Sequence, residues 1–345
     1  MTSGDTHSAS QCWDAILVVS FGGPEGRDDV IPFLENVLRG RNVPRERMLG
    51  VAKHYELFGG VSPINEQNRK LIAALQQLLE TKGPQLPIYF GNRNWHPLLA
   101  DTLAKMRDDG VKKALAFVTS AYSSYSSCRQ YLEDIERARA SVGADAPRVE
   151  KLRAFYNHPG FIEANVANIR GALARVPEER RMAAQLVFTA HSIPESMAQG
   201  CDYEAQLRET SKLVAAAVGS ENWQLVFQSR SGSPAQPWLG PDVCDYLREL
   251  HAAGTIGIRD VVVAPIGFVS DHMEIVYDLD TEAMELCREL GLNMIRAATA
   301  GTHPAFIEMI RELILERINP EAPRRALGTK GPRESVCQTG CCSPS

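Results

Sequence analysis

The 345-residue sequence lacks the features that mark three common classes of protein. No apolar run approaches the roughly 20 residues of a membrane-spanning helix, so we expect no integral membrane segment and at most peripheral membrane association. An excess of basic residues is also absent, because the net charge is -5, and we expect no nucleic-acid partner. Gly22 and Gly23, after the first apolar segment, are not the spaced glycine fingerprint of a dinucleotide site, so we expect no nucleotide.

The start of the chain lacks the basic residues and the apolar core of a secretory signal. We interpret residues 1–13 as a disordered tail of a cytoplasmic protein. The eight cysteines do not suggest a disulfide scaffold, since a core of this size needs no disulfides and the cytoplasm keeps thiols reduced. Four of these cysteines are scattered and are interpreted as ordinary small side chains: Cys12, Cys201, Cys244 and Cys287.

Eight apolar segments alternate with helical patterns, and their length and β-branched content are typical of buried parallel strands. The predicted strands are 16–21, 86–91, 113–118, 151–155, 185–190, 223–228, 260–268 and 292–297. This alternation predicts an α/β fold with helices on both faces of parallel sheets. We expect two doubly wound lobes, residues 14–165 and 166–319, with a cleft between them. The C-terminal extension, 320–345, has too little apolar content to form a core.

An acidic segment follows the strand predicted at 260–268. If the chain becomes helical after Asp271, then Glu274, Asp278 and Glu282 recur every four residues and form a carboxylate row on one face. A solvated helix face explains this segment alone equally well. Ligands of open α/β sheets bind beyond the carboxyl ends of the strands, so the position of the segment and the nearby His272 favour a functional site.

Polar and aromatic groups follow three other predicted strands. His191, after 185–190, is suited to acid/base chemistry or metal ligation, although a lone histidine is more often structural. Trp238, in the segment that follows 223–228, adds an aromatic wall. The Ser/Tyr-rich loop after 113–118 contains Ser123 and Tyr125, whose hydroxyls suit carboxylates or phosphates, or else a helix cap. Spacing alone does not prove that these groups converge.

Five motifs, in this order, resemble those of the ferrochelatase family along nearly the whole folded length. They are SFGGP at 20–24, GGVSP at 59–63, TAHSIP at 189–194, WLGP at 238–241 and SDHME at 270–274. The resemblance implies a chelatase-like enzyme of heme biosynthesis that inserts Fe²⁺ into a porphyrin. The porphyrin would lie in an active-site cleft between two similar Rossmann-like lobes with four-stranded parallel sheets.

The same resemblance assigns the family's catalytic histidine and glutamate to His191 and Glu274, and a supporting histidine to His272. Insertion of Fe²⁺ must release two pyrrole N–H protons, and a neutral imidazole near its ordinary pKa takes one at neutral pH. A carboxylate opposite the imidazole either takes the other proton or holds the incoming iron, and the sequence leaves these two roles open. Asp278 and Glu282 would form a feeder path for the metal.

The planar ring needs apolar contact on both faces. Its candidate contacts are Phe21, Tyr55, Ser123, Tyr125 and Trp238. Because the lip at 47–58 is short and carries charged residues, firm membrane association is not expected. The lip and the segment 123–128 look most like the soluble enzymes of high-GC bacteria that use coproporphyrin III. Coproporphyrin III is therefore favoured over protoporphyrin IX.

Three cysteines, Cys337, Cys341 and Cys342, fall within the last nine residues. Several ferrochelatases hold a 2Fe–2S cluster with three cysteines of a C-terminal extension and one of the body, and the resemblance implies such a cofactor here. Cys128 is the best candidate for the fourth ligand. A zinc site built from the same residues, or a disordered tail with oxidisable thiols, remains an alternative.

Two other functions stay open at this point. The chain could be a chelatase that inserts cobalt or nickel into another tetrapyrrole, or a carrier that binds a tetrapyrrole or a metal without turnover. The presence of both His191 and Glu274 favours an enzyme, because a carrier needs no proton acceptor facing a metal donor. The sequence does not indicate the oligomeric state.

Overall fold

The computed structural model describes residues 13–40, 43–231, 235–253, 259–336 and 341–342. The strands are β1 (Ala15–Ser20), β2 (Ile88–Asn92), β3 (Lys113–Val118), β4 (Arg148–Lys151), β5 (Gln185–His191), β6 (Trp223–Gln228), β7 (Asp260–Ala264) and β8 (Asn293–Arg296). The α-helices are α1 (Arg27–Val37), α2 (Arg45–Leu57), α3 (Ile64–Lys82), α4 (Leu99–Asp108), α5 (Gln130–Val142), α6 (Pro159–Leu173), α7 (Glu195–Gln199), α8 (Tyr203–Val218), α9 (Val243–Ala252), α10 (Met273–Tyr277), α11 (Met284–Glu289) and α12 (Pro304–Ile318). Within these ranges, no helix is long and apolar enough to cross a membrane.

The strands form two four-stranded parallel sheets, ordered β2-β1-β3-β4 and β6-β5-β7-β8. The predicted α/β architecture is confirmed. The strand predicted at 151–155 is placed wrongly, because β4 spans Arg148–Lys151 at a sheet edge. The apolar residues that suggested a strand there, such as Leu152 and Phe155, are buried in the core outside the sheet.

One core cluster of buried side chains extends over both lobes. Ile16 of β1 and Phe188 of β5 belong to this same cluster. The boundary predicted between residues 165 and 166 falls inside α6, which packs against both α8 and α12. The two lobes are therefore joined by a continuous helix within a shared core.

Two predictions about the chain ends are refined by the structure. Residues 1–12 lie outside the described ranges, but Trp13 is buried and its indole Nε1 donates to the Arg317 carbonyl at 3.3 Å. Trp13 therefore belongs to the fold and not to the predicted tail, because burial of a large aromatic ring stabilises it there. Residues 320–336 lie along the body without forming a helix or a strand.

Candidate active site

The topology of the second sheet brings His191 and Glu274 together. Strands β5 and β7 are neighbours, with Gln185 paired to Val261 and Phe188 paired to Ala264. Strand β5 ends at His191, and the chain after β7 leads to α10, which has Glu274 in its first turn. Because parallel neighbours end at the same edge of a sheet, the residues that follow them lie close together.

The Glu274 carboxylate lies between two imidazole rings. Its Oε1 is 3.7 Å from His191 Nε2, and its Oε2 is 3.4 Å from His272 Nδ1. The His272 ring packs edge-on against Phe268, with ring centroids 4.8 Å apart. The three predicted catalytic side chains are therefore in one place.

The expected placement of Glu274 opposite His191 needs correction. A flat ring in van der Waals contact with both walls requires about 7 Å between them, so no porphyrin fits into the 3.7 Å between these two side chains. Both groups lie on the same wall of the cleft, because both follow adjacent strands of one sheet. A flat ring bound in the cleft would therefore face both side chains with the same side.

A hydrogen bond to the backbone defines which ring nitrogen of His191 carries the hydrogen. Its Nδ1 lies 2.5 Å from the carbonyl oxygen of Ser192, which can only accept, so Nδ1 carries the hydrogen and the neutral ring has its lone pair on Nε2. Burial lowers the pKa of His191, but the interaction with the neighbouring Glu274 carboxylate outweighs it, and the net pKa is raised. Burial also opposes the ionised form of Glu274, yet its two histidine neighbours lower the pKa of this carboxyl.

The predicted carboxylate row is present, but the helix that carries it is not a regular α-helix. Residues Asp278–Ala283 form a π-helical turn between α10 and α11. Burial, together with the charges of Glu274 and Glu282, raises the pKa of Asp278 to about 7. Ser229 Oγ and Gln228 Nε2 donate hydrogen bonds to this carboxylate. π-Helical turns are frequent at functional sites, and the fourfold spacing had predicted only an α-helix.

Three of the predicted porphyrin contacts surround the cleft. Phe21, 38% exposed, follows β1. Tyr55 of α2 is buried, and its pKa is raised by burial and by the charge of Glu274, which places Tyr55 near the carboxylate. Trp238 pairs through its backbone with Pro194, in the loop after His191. In the described part of the chain, no group accepts from the buried Trp238 Nε1.

The other two predicted porphyrin contacts, Ser123 and Tyr125, have protein partners. Ser123 is buried: its backbone N–H donates to Gln206 Oε1 at 2.8 Å, and its Oγ accepts from Gln206 Nε2 at 3.1 Å. The Tyr125 hydroxyl donates to Glu133 Oε2 at 3.0 Å. Ser123 therefore joins the two lobes and Tyr125 anchors α5, which argues against direct contact of either hydroxyl with a porphyrin.

A cavity of about 730 Å³ lies between α1, the loop after β2 and α5, and its lining residue Arg93 lies over the Phe21 ring at 5.8 Å. Arg39, Arg93 and Asp134 are among its lining residues. It contains none of the predicted catalytic or porphyrin-binding residues. The candidate active site is therefore the cleft at the His191 strand end and not this cavity.

Four of the described cysteines lie near one another, namely Cys128, Cys201, Cys341 and Cys342. Cys128 and Cys342 are buried, and Cys341 Sγ is 3.6 Å from Cys342 Sγ. Burial and then the neighbouring thiols Cys341, Cys128 and Cys201 raise the pKa of Cys342. The sequence analysis had treated Cys201 as an ordinary side chain, and only the folded tail brings it close to the others.

The structure describes only part of the predicted cysteine ligand set. Cys337 lies outside the described residues. Among the residues that are described, no group of three or more His, Cys, Asp or Glu side chains is arranged to hold a metal ion.

Comparison with known proteins agrees with the fold and identifies the family. The sequence model of the family described as Ferrochelatase matches residues 13–318. A protein named ferrochelatase from Rhodopirellula baltica is 58% identical over 330 residues, which cover 96% of this chain and 93% of the relative. Coproporphyrin III ferrochelatase from Streptomyces coelicolor is 49% identical over 352 residues, with 96% and 93% coverage.

The fold also occurs in more distant chelatases. The solved structure of SirB from Bacillus subtilis with Fe³⁺ superposes with a TM-score of 0.52 at 14% identity, over 88% of this chain and 96% of that chain. Likeness at this identity supports the two-lobed architecture alone. The family match and the sequence identities place the chain in the ferrochelatase family, whose members are enzymes that insert ferrous iron into a porphyrin.

Proposed function

We propose that the porphyrin substrate is coproporphyrin III, that His191 accepts the pyrrole protons, and that Glu274 receives the iron. The observation that carries this proposal is the Glu274 carboxylate held between His191 and His272, at 3.7 and 3.4 Å, beside the strand-end cleft. Tyr55 and Phe21, on the other lobe, would support the opposite face of the ring.

Proton transfer is assigned to His191 Nε2. With Nδ1 bonded to the Ser192 carbonyl, Nε2 is the nitrogen that accepts a proton. The side chain of His191 is 32% exposed, so the ring can pass a proton to water and then accept the second one. His272 acts as the partner of Glu274, because burial lowers its pKa and keeps it neutral.

Iron delivery is assigned to the carboxylate row, with Fe²⁺ as a substrate that passes through. Asp278 and Glu282 would hand hydrated Fe²⁺ to Glu274, since ferrous iron accepts both carboxylate and imidazole ligands. Iron at Glu274 offsets the negative charge that raises the pKa of His191. Arrival of the metal therefore favours the neutral imidazole that the proton transfer requires.

The preference for coproporphyrin III is supported by the relatives and by the lip helix α2. Many of the similar proteins are named coproporphyrin III ferrochelatases. Helix α2 exposes Arg45 and Lys53 beside Leu49. Coproporphyrin III carries more propionate groups than protoporphyrin IX, and basic side chains form charge-assisted hydrogen bonds with such carboxylates.

An anaerobic assay with both porphyrins tests the proposed substrate. After addition of Fe²⁺, we expect the porphyrin absorbance to change to that of the iron complex, with kcat/KM about 10-fold higher for coproporphyrin III. Equal or faster conversion of protoporphyrin IX contradicts the substrate assignment. Binding without conversion of either porphyrin contradicts the enzymatic proposal as a whole.

A 2Fe–2S cluster on Cys128, Cys337, Cys341 and Cys342 is a second part of the proposal. Four thiolates are the ligand set of such a cluster, which supplies one-electron redox chemistry when bound. Its support is the burial of Cys128 and Cys342 and the 3.6 Å between Cys341 Sγ and Cys342 Sγ. A cytoplasmic location is a further part of the proposal, because the cytoplasm keeps thiols reduced.

Substitution of one ligand tests the cluster. We expect Cys128→Ser to abolish the visible absorption and the acid-labile sulfide of the protein purified without oxygen, because three thiolates do not hold the cluster. Cys244→Ser, at a half-buried cysteine of α9, should retain both signals. An unchanged spectrum in Cys128→Ser removes Cys128 from the ligand set, and stoichiometric zinc without sulfide would favour the zinc alternative.

A further inference from the structure

The start of α8 touches both the C-terminal extension and the strand that carries His191. Asp202, the residue before α8, accepts from Arg333 Nη1 of the extension at 2.7 Å. The next residue, Tyr203, is buried, and its hydroxyl donates to the backbone carbonyl of His191 at 3.0 Å. The peptide bond between Asp202 and Tyr203 therefore links the contact with Arg333 of the extension to the contact with His191.

Hydrogen bonds hold the extension in this position. The Leu327 N–H donates to the Asn157 carbonyl at 2.8 Å, and Asn157 Nδ2 donates to the carbonyls of Leu327 and Gly331 at 3.2 and 2.9 Å. Gly328 has a φ of +77°, and a Cβ there would lie 2.2 Å from Glu209 Oε1 of α8. The extension thus passes directly over α8, with a backbone that only glycine adopts easily at this point.

Tyr203 also connects the ends of β5 and β7. Its ring packs edge-on against Tyr122, with centroids 6.1 Å apart, and the Tyr122 hydroxyl donates to the Ile266 carbonyl at 2.9 Å. Ile266 follows β7, on the segment that leads to Glu274. A shift of Tyr203 would therefore change the position of His191 relative to Glu274.

We propose that the C-terminal extension positions His191 for proton transfer through Arg333, Asp202 and Tyr203. This inference rests on the proposed function, because the role of His191 is part of it. The three residues act through His191 and are positioning residues.

Two variants with matched controls test the link. Arg333→Met and Tyr203→Phe should each lower kcat about 10-fold, with KM for coproporphyrin III changed less than about twofold, because small displacements of a catalytic group reduce turnover. Arg333→Lys should recover most of the rate. Arg208→Met, which removes an ion pair with Glu204 on the same helix, and Tyr246→Phe should match the native protein.

The imidazole NMR signals of His191, measured without substrates, separate this proposal from the proposed function. We expect these signals to shift in Arg333→Met and Tyr203→Phe and to stay in place in both controls. If the native protein inserts no iron, the proposed function fails, while the NMR comparison still decides the link. Unchanged His191 signals in Arg333→Met and Tyr203→Phe would contradict the proposed link to the extension, whether or not kcat falls. Arg333→Met keeps this test valid if Tyr203→Phe unfolds, since half-exposed ion pairs contribute little to stability.

Discussion

His191→Ala is expected to lower kcat for iron insertion about 10³-fold while porphyrin binding stays measurable. The reason is that Nε2 of this ring is the assigned acceptor of the pyrrole protons, whereas most of the contact with the macrocycle comes from other side chains. An anaerobic absorbance assay measures turnover, and quenching of intrinsic fluorescence by the porphyrin measures binding.

An exposed histidine provides the control for this substitution. His251→Ala, on α9, should retain the native rate, because this side chain lies on the protein surface. Turnover of His191→Ala within a few-fold of the native protein would remove the proton-acceptor role from His191. Loss of porphyrin binding would instead assign His191 to substrate binding.

Glu274→Gln is expected to lower kcat about 100-fold and to change the pH dependence of the remaining activity. The amide binds Fe²⁺ more weakly than a carboxylate does, which slows delivery of the metal. Glu289→Gln, an exposed residue of the neighbouring helix α11, should leave the rate unchanged. A rate for Glu274→Gln close to the native one would contradict iron transfer through Glu274.

The direction of the pH effect follows from the interaction between His191 and Glu274. His191 accepts a proton only when it is neutral, so activity rises as the pH rises through its pKa, which Glu274 raises above the ordinary 6.5. In Glu274→Gln this stabilisation of the imidazolium is lost, and the lowering of the pKa by burial is opposed only by the weaker effects of Ser192 and Asp278. The low-pH side of the kcat/KM profile should therefore move to lower pH. In the native protein the apparent pKa of that side belongs to the interacting pair of His191 and Glu274 and not to one residue alone. A shift to higher pH would contradict the assigned coupling.

The sequence contained the signals for the architecture because buried parallel strands are apolar runs. Six predicted strands overlap the observed ones closely, and the one predicted at 260–268 extends four residues beyond β7. At 151–155 the apolar residues are buried by packing outside the sheet. His191 and Glu274 could be identified individually from strand ends and family motifs. That they share one wall depends on the adjacency of β5 and β7, which local sequence does not determine.

Other parts of the site have no local signature. Asp278 interacts with both Glu274 and Glu282, so the grouping of the carboxylates was predictable, whereas the π-helical turn at Asp278–Ala283 was not. The contacts of Cys201, Asp202 and Tyr203 depend on a tail that returns from more than a hundred residues along the chain. Such contacts are set by tertiary packing and carry no periodic pattern.

The most direct test of the central claim is a crystal structure of the protein with iron-free coproporphyrin III. We predict one face of the ring towards both His191 and Glu274 and the other towards Phe21, with His191 Nε2 within about 3.2 Å of a pyrrole nitrogen, or linked to it by one water. A ring with His191 and Glu274 on opposite faces, or a ring bound in the cavity between α1 and α5, would contradict the account.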